Sequence, residues 1–165
     1  MSQQLEIRRA LRQDLAAIAS LVEQASQASV QVDEAEVMKW LFSKGLWVAD
    51  QEGMLVGVIA WQAENLVSVT DVFYVSPDSL DTEAGSRLLE TIEGEAKTLM
   101  CEANVVLLPD GLSELIRPIL EQQGYESRPL TGLHRIWREV LSEFTDERSE
   151  VLVKPLRDRM VMLPL

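Results

Sequence analysis

The sequence predicts a mixed α/β fold of the α+β type, with a largely antiparallel central sheet flanked by helices. Along the 165 residues, apolar runs of strand length are interspersed with stretches of helical periodicity. A hairpin pattern at 46–61 is followed directly by another strand pattern at 66–75, which favours antiparallel pairing. A short, continuous apolar run at 103–108 lies between two helical stretches, as is typical of a strand buried on both faces.

The first third of the chain predicts one strand and two helices. Leu5–Arg8 alternates apolar and polar residues, which indicates a short edge strand. Asp14 opens a helical stretch whose apolar residues recur on one face. After a linker at 30–32, Asp33 is placed to cap a second helix, which Gly45 ends.

The second half predicts three more helices and three more strands. The helices are expected at 84–100, from Ser113 to Gly124, and at 133–144, and the strands at 103–108, 125–130 and 151–156. Residues 145–150 are polar and read as a loop, and residues 157–165 form an apolar tail. The chain has no repeat or low-complexity linker, so residues 1–165 are expected to form a single domain.

Composition narrows the class of protein. The chain is 47% hydrophobic and 25% charged, as is ordinary for a globular protein, and it has no apolar run long enough to span a bilayer. Its formal net charge of -12 and pI near 4.5 argue against nucleic acids and anionic membranes as partners. A single cysteine and the lack of a secretory leader favour the cytoplasm. No cysteine or histidine spacing predicts a metal site.

Residues 66–94 contain the most informative pattern, a strand that passes through a short loop into a helix. Such a junction points free backbone N–H groups at one spot, which suits a phosphate. Here the loop contains three carboxylates, Asp78, Asp81 and Glu83, which we call the acidic loop. The scaffold therefore predicts a phosphate site, whereas its charge argues against an anionic ligand.

The order of elements over residues 5–156 resembles the GNAT acyltransferase superfamily. The resemblance is carried by Val75-Ser76-Pro77 before a helix containing Leu88-Leu89, and by Gln123-Gly124-Tyr125-Glu126 after a later helix. Leu5–Ala10 resembles the first strand of that family, 47–60 its second and third strands, and 153–156 its last strand. The helix at 133–144 is then an insertion before the last strand.

The resemblance implies acetyl-CoA as a co-substrate and no metal. The family's pyrophosphate loop is rich in glycine, and here Gly85 matches its last glycine. Leu80, Asp81 and Glu83 take the places of the basic or amide residue and the earlier glycines. The implied coenzyme contacts are the following residues: Phe73, Val75, Leu80, Gly85, Ser86 and Ser113.

For catalysis, the resemblance implies Asp71 as the general base and a backbone N–H near Tyr74 as the donor that polarises the thioester carbonyl. Strand alternation predicts that Asp71, Phe73 and Val75 share one face. The family's general-acid tyrosine falls on Leu120, which cannot donate a proton. A water molecule or the leaving thiolate would then be the proton partner.

Two interpretations of function remain open, beside a third in which the cleft takes a small or neutral acyl donor. In the first, the protein is an N-acetyltransferase that transfers an acyl group from acyl-CoA to a small-molecule or peptide amine. In the second, it is a non-catalytic binding or regulatory module with the GNAT fold and an impaired coenzyme site. The apolar tail can pack on the domain itself or pair two copies as a homodimer.

The remaining distinctive residues have ordinary structural interpretations. His134 reads as a surface residue, and Cys101 as a core residue between a helix and a buried strand. The arginines are expected in surface ion pairs of little energetic weight. Trp61, at the end of a hairpin strand, is a candidate for a substrate wall or a dimer contact.

Overall fold

A computed structural model describes residues 4–108, 113–144 and 150–158 of the chain. In these ranges seven strands form a single sheet with the order β1-β2-β3-β4-β5-β7-β6. The strands are β1 (Leu5–Arg9), β2 (Gly45–Gln51), β3 (Met54–Glu64), β4 (Val67–Val75), β5 (Ala103–Val106), β6 (Glu126–Pro129) and β7 (Glu150–Pro155). The helices are α1 (Leu15–Ala25), α2 (Glu34–Ser43), α3 (Ala84–Thr98), α4 (Ser113–Gln122) and α5 (Arg135–Leu141).

The sheet is antiparallel at every pairing except β4 with β5, which confirms the predicted mixed, largely antiparallel sheet. The parallel pairing covers only four residue pairs, from Val67 opposite Ala103 to Thr70 opposite Val106. A parallel neighbour requires a crossover connection, and α3 supplies it between β4 and β5.

The helices lie on both faces of the sheet, because side chains alternate across each strand. On one face α3 and α4 pack against the sheet through buried residues that include Leu88, Leu89 and Leu120. On the other face α1 and α2 cover β2 to β4, and Ile18 and Val37 are fully buried there. Helix α5 covers the β4, β5 and β7 part of that same sheet with a separate apolar cluster.

Gly57 allows α3 to approach the sheet closely. A Cβ atom at this position would lie 2.8 Å from Leu88 Cδ1, closer than such atoms approach in proteins. A side chain at residue 57 would therefore require the buried Leu88 of α3 to shift.

The predicted elements are confirmed, with shifts at several ends. Helix α2 ends at Ser43 and Lys44 is its C-terminal cap, so Gly45 begins β2 rather than ending the helix. The helix expected at 133–144 is shorter, because a 3-10 turn at 130–132 precedes it and His134 caps it by accepting the Ile136 amide. Cys101 is buried, as predicted. Most of the predicted loop, 145–149, and the tail from residue 159 lie outside the described residues.

A chain of buried polar side chains joins β4, β5 and α3. Asn104 Oδ1 accepts hydrogen bonds from Ser68 and Thr70, at 2.8 and 3.0 Å, and its amide nitrogen donates to the Tyr125 hydroxyl at 2.8 Å. Tyr125 donates in turn to Glu93, whose other oxygen pairs with Lys154 at 2.7 Å. Burial and then the charge of Glu93 raise the pKa of Tyr125, so its hydroxyl keeps the proton that it donates.

Arg8 corrects the expectation that the arginines form only weak surface pairs. Its guanidinium makes two hydrogen bonds to Asp14, at 2.8 and 3.0 Å, and two of 3.2 Å to Asp50. The Asp14 side chain is only 9% exposed and also accepts the Leu11 amide at 2.7 Å. The Arg8 hydrogen bond, more than any other contact, lowers the pKa of Asp14.

We expect Asp14→Asn to destabilise the fold by about 2 kcal/mol at neutral pH, because hydrogen bonds to a charged group are lost. The pKa of Asp14 is depressed in the folded state, so its contribution is present above the ordinary value of 3.8 and disappears as pH falls through the folded value. Denaturant unfolding at several pH values measures this. The difference from the native chain should shrink below about pH 4. Glu36→Gln, which removes a pair 3.5 Å long between more exposed side chains, is the control.

Candidate functional site

The candidate site is the gap that opens where β4 leaves β5. Pairing between these strands stops at Thr70, whose carbonyl accepts the Leu107 amide at 2.9 Å. Strand β4 continues for five more residues, 71–75, without β5 beside it. Among the described residues, one edge of β4 is therefore left open at the centre of the sheet, which is an unusual place for unpaired strand backbone.

A β-bulge at Asp71 lies where the gap begins. Ala60 is opposite Val72 and Trp61 is opposite Thr70, so Asp71 has no residue opposite it on β3. The extra residue reverses which face of the sheet the odd-numbered and even-numbered side chains point to. Before the bulge the even-numbered Thr70 points toward Asn104, and after it the odd-numbered Phe73 and Val75 point toward α3.

The bulge corrects the prediction that Asp71 shares a face with Phe73 and Val75. Asp71 pairs with Lys44 at the end of α2, and its charge acts on Tyr74, which belongs to the apolar cluster under α1 and α2. The carboxylate therefore lies on the α1 and α2 face. Simple alternation failed here because it assumes a strand without an inserted residue.

The backbone amides of Phe73 and Val75 face the open edge of β4. The Ser76 amide donates to Val56 of β3 at 2.8 Å, and amide directions alternate along a strand. Tyr74 therefore faces β3, opposite Val58, while its two neighbours face the gap. An oxyanion donor near Tyr74 would be one of these two amides.

A narrow cleft lies at the carboxyl end of β4, between α1 and α4. Its volume is about 10 Å³, which is room for roughly one water molecule. Its lining is mostly apolar: Ala25, Phe73, Tyr74, Val75, Pro77, Leu80, Leu115 and Ile116. An acyl-pantetheine chain would enter only after Leu80 and Leu115, which are partly exposed, had moved aside.

The start of α3 borders this cleft. The N-cap residue Glu83 makes no side-chain cap, and Thr82 accepts the Ala84 amide through its hydroxyl at 3.3 Å. Amides in the first turn of an α-helix, such as those of Gly85 and Ser86, have no partner within the helix. Gly85 is buried, and a Cβ atom there would lie 3.0 Å from Ile119 of α4. A side chain at this position would therefore require Ile119 to shift by a few tenths of an ångström.

The acidic loop surrounds the helix start but does not line the cleft. Asp78, Asp81 and Glu83 are all exposed to solvent, whereas Pro77 and Leu80 of the same segment line the cleft. Exposed charges are screened by water and salt, so they repel a nearby anion about as weakly as charges in bulk water do. The acidic loop would therefore weaken the attraction of an anion to the helix start without blocking its approach.

Asp71 and Lys44 form an ion pair beside the gap. Lys44 Nζ donates to Asp71 Oδ2, and the two side chains are 12% and 23% exposed. The ammonium group also lies 5.8 Å from the centre of the Phe144 ring. The other carboxylate oxygen, Asp71 Oδ1, is buried and has no hydrogen-bond partner among the described residues. It is free to accept a hydrogen bond from a ligand.

Tyr74 is kept as a neutral phenol. Burial, and secondarily the charge of Asp71, raises its pKa to about 12. At neutral pH the hydroxyl therefore carries its proton, and the negative charge in this part of the site belongs to Asp71.

The structure places most of the predicted site residues around one gap. Phe73, Tyr74, Val75 and Leu80 line the cleft. Gly85 and Ser86 start α3, and Ser113 starts α4, two residues before the cleft residue Leu115. Leu120 is buried in the core cluster beneath α3 and is not among the residues that line the cleft.

Sequence reasoning missed Lys44, whose ammonium group pairs with Asp71. A lysine at the C-terminal end of a helix is usually explained by its favourable interaction with the helix dipole. Nothing in the sequence therefore marked Lys44 as a residue of the site. Trp61, considered a substrate wall or dimer contact, is buried and donates its indole N–H to Glu95 at 3.0 Å. Trp47 donates to the same oxygen at 2.7 Å.

No known protein-family model matches the sequence, and no curated protein matches it significantly. Solved structures do match the fold. An acetyltransferase of the GNAT family from Staphylococcus aureus Mu50 has a TM-score of 0.74 at 14% identity, with 93% of this chain and 100% of that chain covered. The PaiA N-acetyltransferase from Thermoplasma acidophilum, in complex with coenzyme A, has a TM-score of 0.66 at 14% identity, with coverage of 92% and 99%.

N-acetylglutamate synthase from Neisseria gonorrhoeae, complexed with coenzyme A and N-acetyl-glutamate, has a TM-score of 0.73 at 18% identity. The match covers 95% of this chain, but the chain spans only 36% of the length of that protein. These likenesses show that the chain has the GNAT fold. Sequence identities this low support a shared fold but do not establish a shared reaction.

Two other kinds of site are not found in the described ranges. Within residues 4–108, 113–144 and 150–158, no three His, Cys, Asp or Glu side chains are grouped closely enough to hold a metal ion. None of the helices described in those ranges is both long and apolar enough to cross a membrane.

We expect the Lys44–Asp71 pair to have a coupling energy of about 2 kcal/mol, since it is largely shielded from water. Unfolding of Lys44→Met, Asp71→Asn and the double variant measures it in a double-mutant cycle. Lys44→Met should cost more than Asp71→Asn, because it leaves a shielded carboxylate without a cation. The exposed Lys39–Glu36 pair is the reference cycle, with an expected coupling of about 0.3 kcal/mol. Equal coupling in the two cycles would contradict this interpretation.

Proposed function

We propose that this protein binds acyl-CoA in the gap beside β4 and transfers the acyl group to an amine. One observation carries the proposal: β4 leaves β5 at Thr70, and the free edge of β4 leads directly to the start of α3. An extended pantetheine chain can pair with the Phe73 and Val75 amides as a strand would. The amides at the start of α3 then lie where the pyrophosphate would be.

The chemistry would use Asp71 and one amide of β4. Asp71 has a buried oxygen available to accept a proton or hydrogen bond from an acceptor amine. An amide at the open edge would stabilise the negative charge that develops on the thioester oxygen. The leaving thiolate can take the final proton, because Leu120 offers none. A negatively charged protein surface also favours a cationic amine as the acceptor.

A non-catalytic binding module remains the second candidate, and two observations favour it. The cleft is almost closed, and Lys44 already occupies one oxygen of Asp71. A module of this kind would keep the fold without admitting the coenzyme. The two functions differ first in whether acyl-CoA binds.

We expect the native chain to bind acetyl-CoA with a micromolar Kd at low salt, measured by isothermal titration calorimetry. Asp81→Asn/Glu83→Gln should bind about five to thirty times more tightly, since each exposed charge at about 4 Å contributes roughly 1 kcal/mol of repulsion in water. High salt should reduce the difference.

Glu90→Gln is the matched control for this titration. Glu90 is an exposed carboxylate nearly two turns into α3, and its removal should leave the affinity unchanged. If neither the native chain nor the double variant binds at low salt, the coenzyme site is refuted and the binding-module function is favoured.

We expect Asp71→Asn to lower kcat for acyl transfer by about a hundredfold, because the amide cannot accept the proton of the amine. Release of coenzyme A thiol from acetyl-CoA measures the reaction across a panel of diamines, polyamines and peptide N-termini. Glu34→Gln, an exposed change on α2, should keep full activity. An Asp71→Asn variant that binds acetyl-CoA and turns over at the native rate would show that another group takes the proton.

A further inference from the structure

Lys44 holds the position beside Asp71 that an acceptor amine would need. Its ammonium group donates to the carboxylate, and its side chain is only 12% exposed. Two further contacts hold Lys44 in this position, one through its backbone and one through its side chain. The Lys44 amide continues α2 by donating to Trp40 at 2.9 Å, and the ammonium lies over the Phe144 ring. A primary amine of the protein itself is thus held against the candidate general base.

The same position adjoins the open edge of β4. Asp71 is the bulged residue at which β5 departs, and the Phe73 amide that faces the gap is two residues further along the strand. Successive residues of a strand rise about 3.3 Å, so this amide lies roughly 6 to 7 Å along β4 from the backbone of Asp71. A thioester carbonyl held by the amide would therefore lie along the same stretch of β4 as the Lys44–Asp71 pair.

We propose that Lys44 is an acyl acceptor of this protein, modified in cis by the acyl-CoA bound in the gap. This inference rests on the proposed function and names one substrate of it. A chemical modification without catalysis would favour exposed lysines, because water-accessible amines meet acyl-CoA more often. Lys39, whose side chain is 75% exposed and lies five residues earlier on the same helix, is the natural comparison.

The reaction balances without any further reactant. The Lys44 ammonium gives one proton through Asp71 to solvent, and the amine lone pair attacks the thioester carbonyl carbon. The carbon–sulfur bond of the tetrahedral intermediate breaks, and its electron pair leaves with the coenzyme A thiolate. One of the two protons left on the attacking nitrogen passes to that thiolate, and the other stays as the amide N–H. The products are an Nε-acyl lysine, free coenzyme A and one proton.

The test is the rate of acetylation at individual lysines of the full folded chain incubated with acetyl-CoA, read by quantitative peptide mass spectrometry. We expect Lys44 to be acetylated at least about tenfold faster than Lys39, because a held amine gains a high effective concentration. In denaturant, where the gap does not exist, this preference should disappear. Asp71→Asn should slow acetylation of Lys44 by about a hundredfold and leave that of Lys39 unchanged.

Lys44→Arg keeps the positive charge beside Asp71 but removes the acceptor, so its folded chain should gain no acetyl group at this position. Calorimetry with acetyl-CoA on the native chain and on this variant separates the two proposals. Binding with acetylation of Lys44 no faster than that of Lys39 would overturn the present inference and leave the proposed function standing. Absence of binding would overturn both, since no acyl donor would then reach Lys44.

Discussion

The structure depends on where the pairing between β4 and β5 stops. Asn104 on β5 accepts hydrogen bonds from Ser68 and Thr70, the two inward residues of β4 nearest to the divergence. These groups are fully buried, so breaking either bond would leave a polar atom without a partner in the core. The network therefore holds the strands together up to Thr70, and the bulge at Asp71 turns the next residues away. The gap therefore results from the hydrogen-bond network and the bulge together.

The charged groups at the two ends of the gap differ in their exposure to water. At the α3 end, three exposed carboxylates surround a helix start that would otherwise attract phosphate. At the β4 end, a carboxylate is shielded from water and paired with a lysine. Screening acts strongly on the first group and weakly on the second. In the proposed function the acidic loop would therefore limit the affinity for the coenzyme, while the Lys44–Asp71 pair would restrict which groups approach the open edge of β4.

Much of the fold could be predicted from the sequence, because each element satisfied several local rules at once. Strand β5 is a short run, apolar except for Asn104, between two helices. Asp33 caps α2 by accepting the Glu36 amide at 2.8 Å, as its residue type predicts. The positions of Phe73, Val75 and Leu80 around one cleft followed from the resemblance in element order. These features depend on residues that are neighbours along the chain.

The features that sequence reasoning missed depend on contacts between distant residues or on one inserted residue. A bulge does not change the apolar character of β4, so the reversal of faces at Asp71 left no trace in the periodicity. Lys44 and Asp71 are 27 residues apart, and nothing in the residue type of Lys44 distinguishes it from an ordinary lysine at a helix end.

The Lys44–Asp71 contact gives the two candidate functions a common physical basis. An acceptor amine bound at the site would place an ammonium group beside Asp71. Lys44 already places one there, so its side chain occupies the position of the substrate amine. A free amine would have to displace Lys44 at the cost of a contact shielded from bulk water. Transfer to Lys44 itself removes that obstacle, because an acylated lysine carries no charge and no longer holds Asp71 by an ion pair. Under the proposed acylation, the same side chain would close the site to free amines before the reaction and release Asp71 afterwards.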